Sequence, residues 1–577
     1  MSATSAMANS TSPDHAANLA AVLAYHERTK HAYGRYARSL GFLDWDNQPD
    51  PFRRYPGAPL TLLNLPDAAG GPSYEQLFHP GSVASRPLDQ DSVSELLYFS
   101  LALSAWKRHE TSRWSLRVNP SSGNLHPTEA YLFLPTIAGL SEAPALHHYA
   151  PKEHGLERRA TLDARGWEAL REGLPSTSFL MALSSIPWRE SWKYGERAWR
   201  YCQHDVGHAL AALRFSAALL GWRLTALPDV PDERLAGLLG LDRAAEFVAG
   251  ELEHPDLLMV IDTAPQDEGG DTSDTPEMCE PTHVPGRGAL AALQRAAWSG
   301  RANLLSAEHV PWDVIDEVGR ASRRDEATPS LATRRPPPTA PVPLDTADDV
   351  SLARPVIRER RSAVSMDGRT GLTSQGFFEM MARLVPTTCA VPWDGLSWPT
   401  AIHLGLFVHR VAGLAPGLYV LVREPAREAA LRDAMHQDFV WQTPEGCPPE
   451  LPLRLLAERD LRAQSAGVSC GQDIAADGAF SLGMLADFEA TLSAHGPSAY
   501  RNLFWEAGAI GQTLYLEAQA AGIAATGIGC FFDDPVHGLF GLSGRAWQSL
   551  YHFTVGGPVD DTRLASEAAY AERGAGS

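Results

Sequence analysis

The chain has 577 residues, 44% hydrophobic and 20% charged, the balance of a globular protein rather than a disordered one. That length exceeds what one core usually spans, so at least two domains are expected. With 49 basic against 69 acidic residues the net charge is −20. Such a field repels nucleic acid and anionic membranes and confines any anion site to a local basic pocket.

Residues 1–18 read as a flexible tail, and "MSATSAMANSTSPDH" has neither the basic nor the apolar segment of a signal peptide. The apolar stretch "ALAALRFSAALLGW" is interrupted by Arg214, and no other run is long enough to cross a bilayer. The six cysteines (Cys202, Cys279, Cys389, Cys447, Cys470, Cys530) lie far apart without CxxC spacing, which predicts a reduced, cytoplasmic protein.

A first globular region is expected over 19–264. It contains "NPSSGNLHPTEAY", Asn119–Tyr131, a polar loop ahead of an apolar run, suited to hold something flat or charged. "KYG", Lys193–Gly195, precedes a long helical pattern. A Lys–Tyr pair serves as acid and base only if its surroundings move Lys from about 10.4 or tune Tyr from about 10. "HDVGH" spaces His204 and His208 as on a zinc-binding helix, but Asp205 replaces the usual Glu and a third ligand is missing, so no metal is expected. Residues 265–348 read as a Pro-, Gly- and acid-rich linker with one short helix, "ALAALQRAAW". A second globular region then fills 349–577. It opens with "RERRSAV", whose Arg358, Arg360 and Arg361 before Ser362 suit a phosphate dianion, though on these residues alone a solvated basic segment is the better reading. "AATGIGCFFDD" places Gly527, Ile528 and Gly529 where backbone N–H groups can approach a ligand, though without the spacing of a dinucleotide fingerprint. Cys530 reads as a core residue, because no histidine stands beside it.

The two regions repeat one another. Laid over each other, "WRYCQHDVGHALAALRFSAALLGW" and "YRNLFWEAGAIGQTLYLEAQAAGI" pair Arg200 with Arg501, Gly207 with Gly508 and Gly221 with Gly522, all at an offset of 301. An interior helical glycine costs about 1 kcal/mol relative to alanine, so its repetition points to close approach of a partner backbone or ligand. Duplicated halves of this kind associate around a pseudo-twofold axis.

Together these motifs resemble the FMN-dependent nitroreductase superfamily, specifically its SagB/ThcOx-type dehydrogenases. The first region contributes "YHERTKH", "LDWDNQPDPFRRY", "NPSSGNLHPTEAYLFL" and "KYGERAWRYCQHDVGH". The second contributes "RERRSAV", "GLAPGLY", "YRNLFWEAGAIGQTLYLEAQAAGIAATGIGCFFDDPVHGLFGL" and "LYHFTVGGPVDDTR". The resemblance implies an α+β fold of two tandem nitroreductase-like domains, each a mixed β-sheet flanked by helices, forming an internal pseudo-dimer. It implies FMN, with Arg360, Arg361, Ser362 and Arg563 on the phosphate and Gly527, Ile528 and Gly529 near the reactive edge of the ring. Pro120, Ser121, Ser122, Gly123 and Asn124 would reach across from the other half, and Lys193 and Tyr194 would be the acid/base pair.

The departures from the pattern are complementary. Region one has "VASRPLDQ" in place of the basic segment, and Gly527 and Gly529 fall on Ala226 and Pro228. Region two has "VPWDGLSWPTAIHLGLF" in place of the serine-rich loop, and Lys193 and Tyr194 fall on Ala494 and His495. Val364 stands where many relatives carry a basic residue. One competent FMN site built from both halves is therefore expected, and which of the two sites Lys193 and Tyr194 face stays open on the sequence. The function implied is an FMN-dependent dehydrogenase or oxidase acting on a peptide or small natural-product precursor, forming an azole or a C=C bond. The alternatives are an NAD(P)H-dependent nitro or quinone reductase, and a non-catalytic peptide-binding or scaffold subunit. Neither nucleic acid nor membrane is an expected partner, and a homodimer of whole chains is compatible with the internal pairing.

Overall fold

The computed structural model describes residues 13–265, 280, 282–333, 351–387 and 390–574. Two antiparallel sheets, one per half, form the frame. The first runs, strand by neighbouring strand, Leu60–Leu62, Gly155–Thr161, Ala145–Ala150, Thr128–Leu134, Ser178–Ser185, His254–Asp262 and Arg223–Leu227. The second runs Leu453–Glu458, Gly417–Leu421, Ile402–Val408, Phe480–Asp487, Trp547–Gly556 and Ala524–Ile528. Leaving aside the extra edge strand Leu60–Leu62, strand order and connection are the same in both, as duplication requires. A parallel bridge from Ser362 to Ala525 makes the second sheet mixed at its edge. Central strands such as Ser178–Ser185 and Phe480–Asp487 are buried along their whole length, because helices cover both faces.

Each half sends one long helix, Ala198–Leu219 or Ala499–Ala520, into the space between the sheets. Every residue of the first is buried, its polar Arg200, Gln203, His204, Asp205, His208 and Arg214 included. The two helices cross at the repeated glycines. A Cβ on Gly207 would lie 2.2 Å from the Trp505 carbonyl oxygen, and one on Gly508 would lie 2.2 Å from the His204 carbonyl oxygen. The partner backbone inferred from the sequence is thus the other helix. Gly221 and Gly522 follow the two helix ends, both at φ 69°.

The pairing is isologous. Arg200 Nη1 donates to Asp533 Oδ1 at 3.0 Å, and Arg501 donates to both oxygens of Asp232 at 3.0 and 2.9 Å. These are the same pair seen from either side, since Arg501 and Asp533 stand 301 residues after Arg200 and Asp232. Trp199 stacks on Tyr500 with centroids 5.1 Å apart beside them. The C-terminal strand Ala565–Glu567 adds to the hairpin Leu103–His109 and Ser112–Arg117 of the first half, fastening the halves a second way.

Two expectations need correction. Residues 13–18 are helical, the start of Pro13–Arg28, because His26 is buried against Tyr500 and Gln548 and Val22 enters the core; the rest of the expected tail lies outside the described residues. The described part of 265–348 is no free linker with one helix. Helices Arg287–Arg295 and Asp313–Ala321 both pack into the core through Ala289, Leu293, Ile315 and Val318. The remaining linker residues lie outside the described ones. Among the described residues no helix is long and apolar enough to cross a membrane.

Candidate functional site

A cavity of about 990 Å³ opens between the halves, at the upper end of ligand-pocket sizes. From the first half come the loop Pro120–Asn124 with Tyr194, Tyr201 and Asp205; from the second, Arg360, Arg361, Ser362, the strand end Gly527–Gly529 and Cys530. Segments some 240 residues apart are therefore neighbours.

The loop is shaped by left-handed backbone at Gly123 (φ 59°) and Asn124 (φ 60°). Asparagine tolerates this region better than most residues. Asn124 Nδ2 donates to the Ser115 carbonyl at 2.5 Å and its Oδ1 pairs with His126 Nε2 at 2.9 Å. Gly123 lies against the last turn of helix Pro187–Tyr194: a Cβ there would meet the Tyr194 hydroxyl at 2.5 Å and Lys193 Nζ at 3.1 Å. The loop and the Lys–Tyr pair are thus one unit, of which the loop and Tyr194 line the cavity that holds Arg360 and Lys193 does not.

On the opposite wall Arg360 is 4% exposed and lies over the Tyr515 ring at 4.8 Å. Its Nη2 donates to the Arg117 carbonyl at 3.1 Å, while Nε and Nη1 are buried without a partner. Arg361 donates to the carbonyls of Arg358, Arg360 and Ser104. Burial, with Arg360 and Arg358 close by, lowers its pKa to about 10. Ser362 Oγ shares a 2.8 Å bond with the Tyr515 hydroxyl, which accepts from Gly527 N at 3.1 Å. A Cβ on Gly527 would strike Tyr551, and one on Gly529 would strike Tyr201, so both glycines let aromatic walls close on the strand end.

The structure separates other predicted residues from the site. Arg358 turns away to stack on Tyr98 at 3.9 Å. Arg563 does not line the cavity; its side chain is 75% exposed and paired with Asp561 at 2.7 Å. Lys107 on the hairpin of the first half reaches the cavity rim instead, near exposed Val364. Sequence offset gave no sign of it, because the hairpin is outside the repeat. Of the HDVGH histidines, His204 stacks on Tyr551 at 4.1 Å and His208 Nε2 meets the Tyr551 hydroxyl at 3.3 Å. Burial lowers both, His208 to about 3, so both rings are neutral.

A carboxyl pair behind the Lys–Tyr unit escaped the sequence reading. Asp205 is 1% exposed, accepts from Ser122 N at 3.3 Å and has Oδ2 without a partner. Glu190 is fully buried with both oxygens unpartnered. Burial raises Asp205 to about 7, and burial with the charge of Asp205 raises Glu190 further, opposed by Lys193. An unfolded aspartate has a pKa of about 3.9. Between that value and about 7 the folded protein keeps a proton the unfolded chain has released, so this stability is full below pH 4 and lost as pH rises through 7. Asp205→Asn should therefore gain on the parent by roughly 1–3 kcal/mol between pH 5 and pH 8. Denaturant midpoints at the two pH values measure it; an equal difference at both would show that Asp205 ionises normally.

The pseudo-symmetric position is smaller and differently lined. A smaller cavity of about 330 Å³ is lined there by His495, Asn502, Glu506, Trp398 and Leu331. Its carboxylate, Glu506, is neutralised by buried Arg423. Ser397 bonds the Ala226 carbonyl at 2.5 Å and accepts at its own carbonyl from Thr333 N, so the loop that replaced the serine-rich one is tied down against the first half. Arg86, in the segment that replaced the basic one, is paired with Glu95 at 2.7 Å.

Comparison with known proteins agrees with this architecture. Residues 418–557 match the nitroreductase family model. A putative nitroreductase from Anabaena variabilis superposes with a TM-score of 0.66 at 22% identity, over 93% of this chain and 99% of that one. A putative nitroreductase from Ralstonia eutropha covers 39% of this chain and 96% of its own at 17% identity, with a TM-score of 0.27. The E. coli microcin synthetase McbBCD complex with truncated pro-MccB17 bound aligns at 19% identity over 43% of this chain and 94% of that one, with a TM-score of 0.25. None of the curated proteins matches. The second half of the chain carries a nitroreductase family domain, and the whole chain has the nitroreductase fold twice in tandem.

Proposed function

We propose that the chain is an FMN-dependent oxidoreductase of the dehydrogenase or oxidase type, with one flavin site per chain, acting on a peptide or small natural-product precursor. The observation that carries this reading is Arg360: a buried guanidinium with two N–H groups unpartnered, beside Arg361 and Ser362, at one end of a cavity of about 990 Å³. Buried charges are stable only when paired, so the cavity fits an anionic group such as a phosphate. Arg360, Arg361 and Ser362 would hold that phosphate, and the loop Ser121–Asn124 and strand end Gly527–Gly529 would bracket the ring. A bound flavin supplies hydride acceptance or donation.

The protein's own part is proton handling. Burial, with Glu190 and Tyr201 nearby, holds the Tyr194 hydroxyl well above the usual tyrosine range, so it stands as a neutral donor. Lys193 lies alongside with its Nζ 5.3 Å from the Tyr194 ring. Asp205 and Glu190 behind them form a protonated reserve. The aromatic rings of Tyr201 and Tyr551 pack against the strand end.

Flavin extracted from the pure, fully loaded protein should amount to about one FMN per chain, since the twin cavity is about 330 Å³ and Arg86, in place of the basic segment, is already paired with Glu95. Two per chain would overturn the single-site reading. A protein that takes up none on reconstitution would overturn the flavin.

A further inference from the structure

Cys530 is not the core residue its sequence context suggested. It is half-buried, lines the cavity directly after Gly529, and its Sγ lies 2.6 Å from that of Cys470, 60 residues away in the chain. Cys470 is itself half-buried, in the turn after helix Arg462–Val468, in left-handed backbone at φ 58°. Other groups hold the two turns together. Gln472 Nε2 donates to the Ser469 carbonyl at 2.8 Å and to the Cys530 carbonyl at 3.0 Å. On the far side, the Gly529 carbonyl accepts from the Tyr201 hydroxyl at 3.1 Å and from Arg197 at 3.3 Å. The bond from Cys470 lowers Cys530, with Arg197 adding to it against burial, while that same bond, burial and the charge of Cys530 raise Cys470, so Cys530 is the thiolate and Cys470 its protonated partner. A thiolate of lowered pKa with access to solvent and a second thiol beside it is the arrangement of a reactive pair. Among the described residues no group of three or more His, Cys, Asp or Glu is placed to hold a metal ion.

We propose that Cys470 and Cys530 form a reversible dithiol–disulfide couple in the cavity wall. Closing it forms the Sγ–Sγ bond and releases two protons and two electrons. With a small-molecule disulfide as oxidant, the Cys530 thiolate attacks one oxidant sulfur, the oxidant's S–S bond breaks and one thiol leaves. Cys470 then displaces the second thiol from the mixed disulfide, and the two electrons end on the two released thiols. The bond pins the turn after Gly527–Gly529 to the turn at 469–471, so the redox state sets how far this wall can move. The proposal stands whatever the cavity holds.

The test is peptide mapping of the full chain. Protein is equilibrated with oxidised glutathione or with dithiothreitol, blocked with N-ethylmaleimide, and digested without reduction. The expected result is a cross-linked pair of peptides containing Cys470 and Cys530 after glutathione disulfide, and maleimide on both after dithiothreitol. In Cys470→Ser the mixed glutathione disulfide should persist on Cys530. Separate blocking of both cysteines after oxidation, or a cross-link that dithiothreitol leaves intact in the folded protein, overturns the couple. Flavin stoichiometry is read separately, so failure here and failure of the flavin assignment are distinguishable.

Discussion

Arg360→Ala should yield a folded protein that leaves purification without flavin and binds added FMN about a hundred- to ten-thousandfold more weakly. Hydrogen bonds to charged groups contribute about 1.5–3 kcal/mol each, and Arg360 has two buried donors free for such bonds. Together they amount to about 3–6 kcal/mol, or about two to four decades of affinity. Stability tells an anion-binding role from a structural one. Without its anion, the parent carries an incompletely paired buried charge, which is costly. The flavin-free variant should therefore be as stable as the flavin-free parent, or more so. A variant that loses stability equally with and without FMN would make Arg360 a structural residue, tied to the Arg117 carbonyl and the Tyr515 ring. Arg563→Ala is the control: exposed and paired with Asp561, it should leave flavin content and affinity unchanged.

What the sequence made legible follows from what repeats in it. The offset of 301 located two helices, and their shared glycines marked the crossing, because backbone contact there admits no side chain. The symmetric pairs Arg200–Asp533 and Arg501–Asp232 were equally implicit, since each partner obeys the same offset. Features made by contact between unrelated segments were not legible. Glu190 and Asp205 stand 15 positions apart on different helices, and only the bend at Gly195 turns both behind Tyr194. Lys107 and the strand Ala565–Glu567 enter through a sheet that only one half possesses. A motif fixes a position along the chain but not a rotamer: Arg563 is paired with Asp561, which itself lines the cavity. Arg358, similarly, is drawn off by Tyr98.

Lys193→Ala and Tyr194→Phe should each keep about the parental flavin content and lose turnover by roughly a hundred- to ten-thousandfold, the range of a positioned proton-transfer group. Both residues sit under the loop Pro120–Asn124 but away from Arg361 and Ser362, so the phosphate end is untouched by either change. Tyr194→Phe removes only the hydroxyl, leaving the ring contact with Tyr201 at 4.5 Å intact, so loop and cavity should hold their shape. The two substitutions should also be non-additive: if Lys193 acts on the proton carried by Tyr194, the double variant should be scarcely slower than the worse single one. Lost flavin in either variant would make the pair a support for the loop rather than acid/base groups. Full turnover in both would remove them from the chemistry and leave Asp205, the other titrating group on that wall, as the residue to replace next.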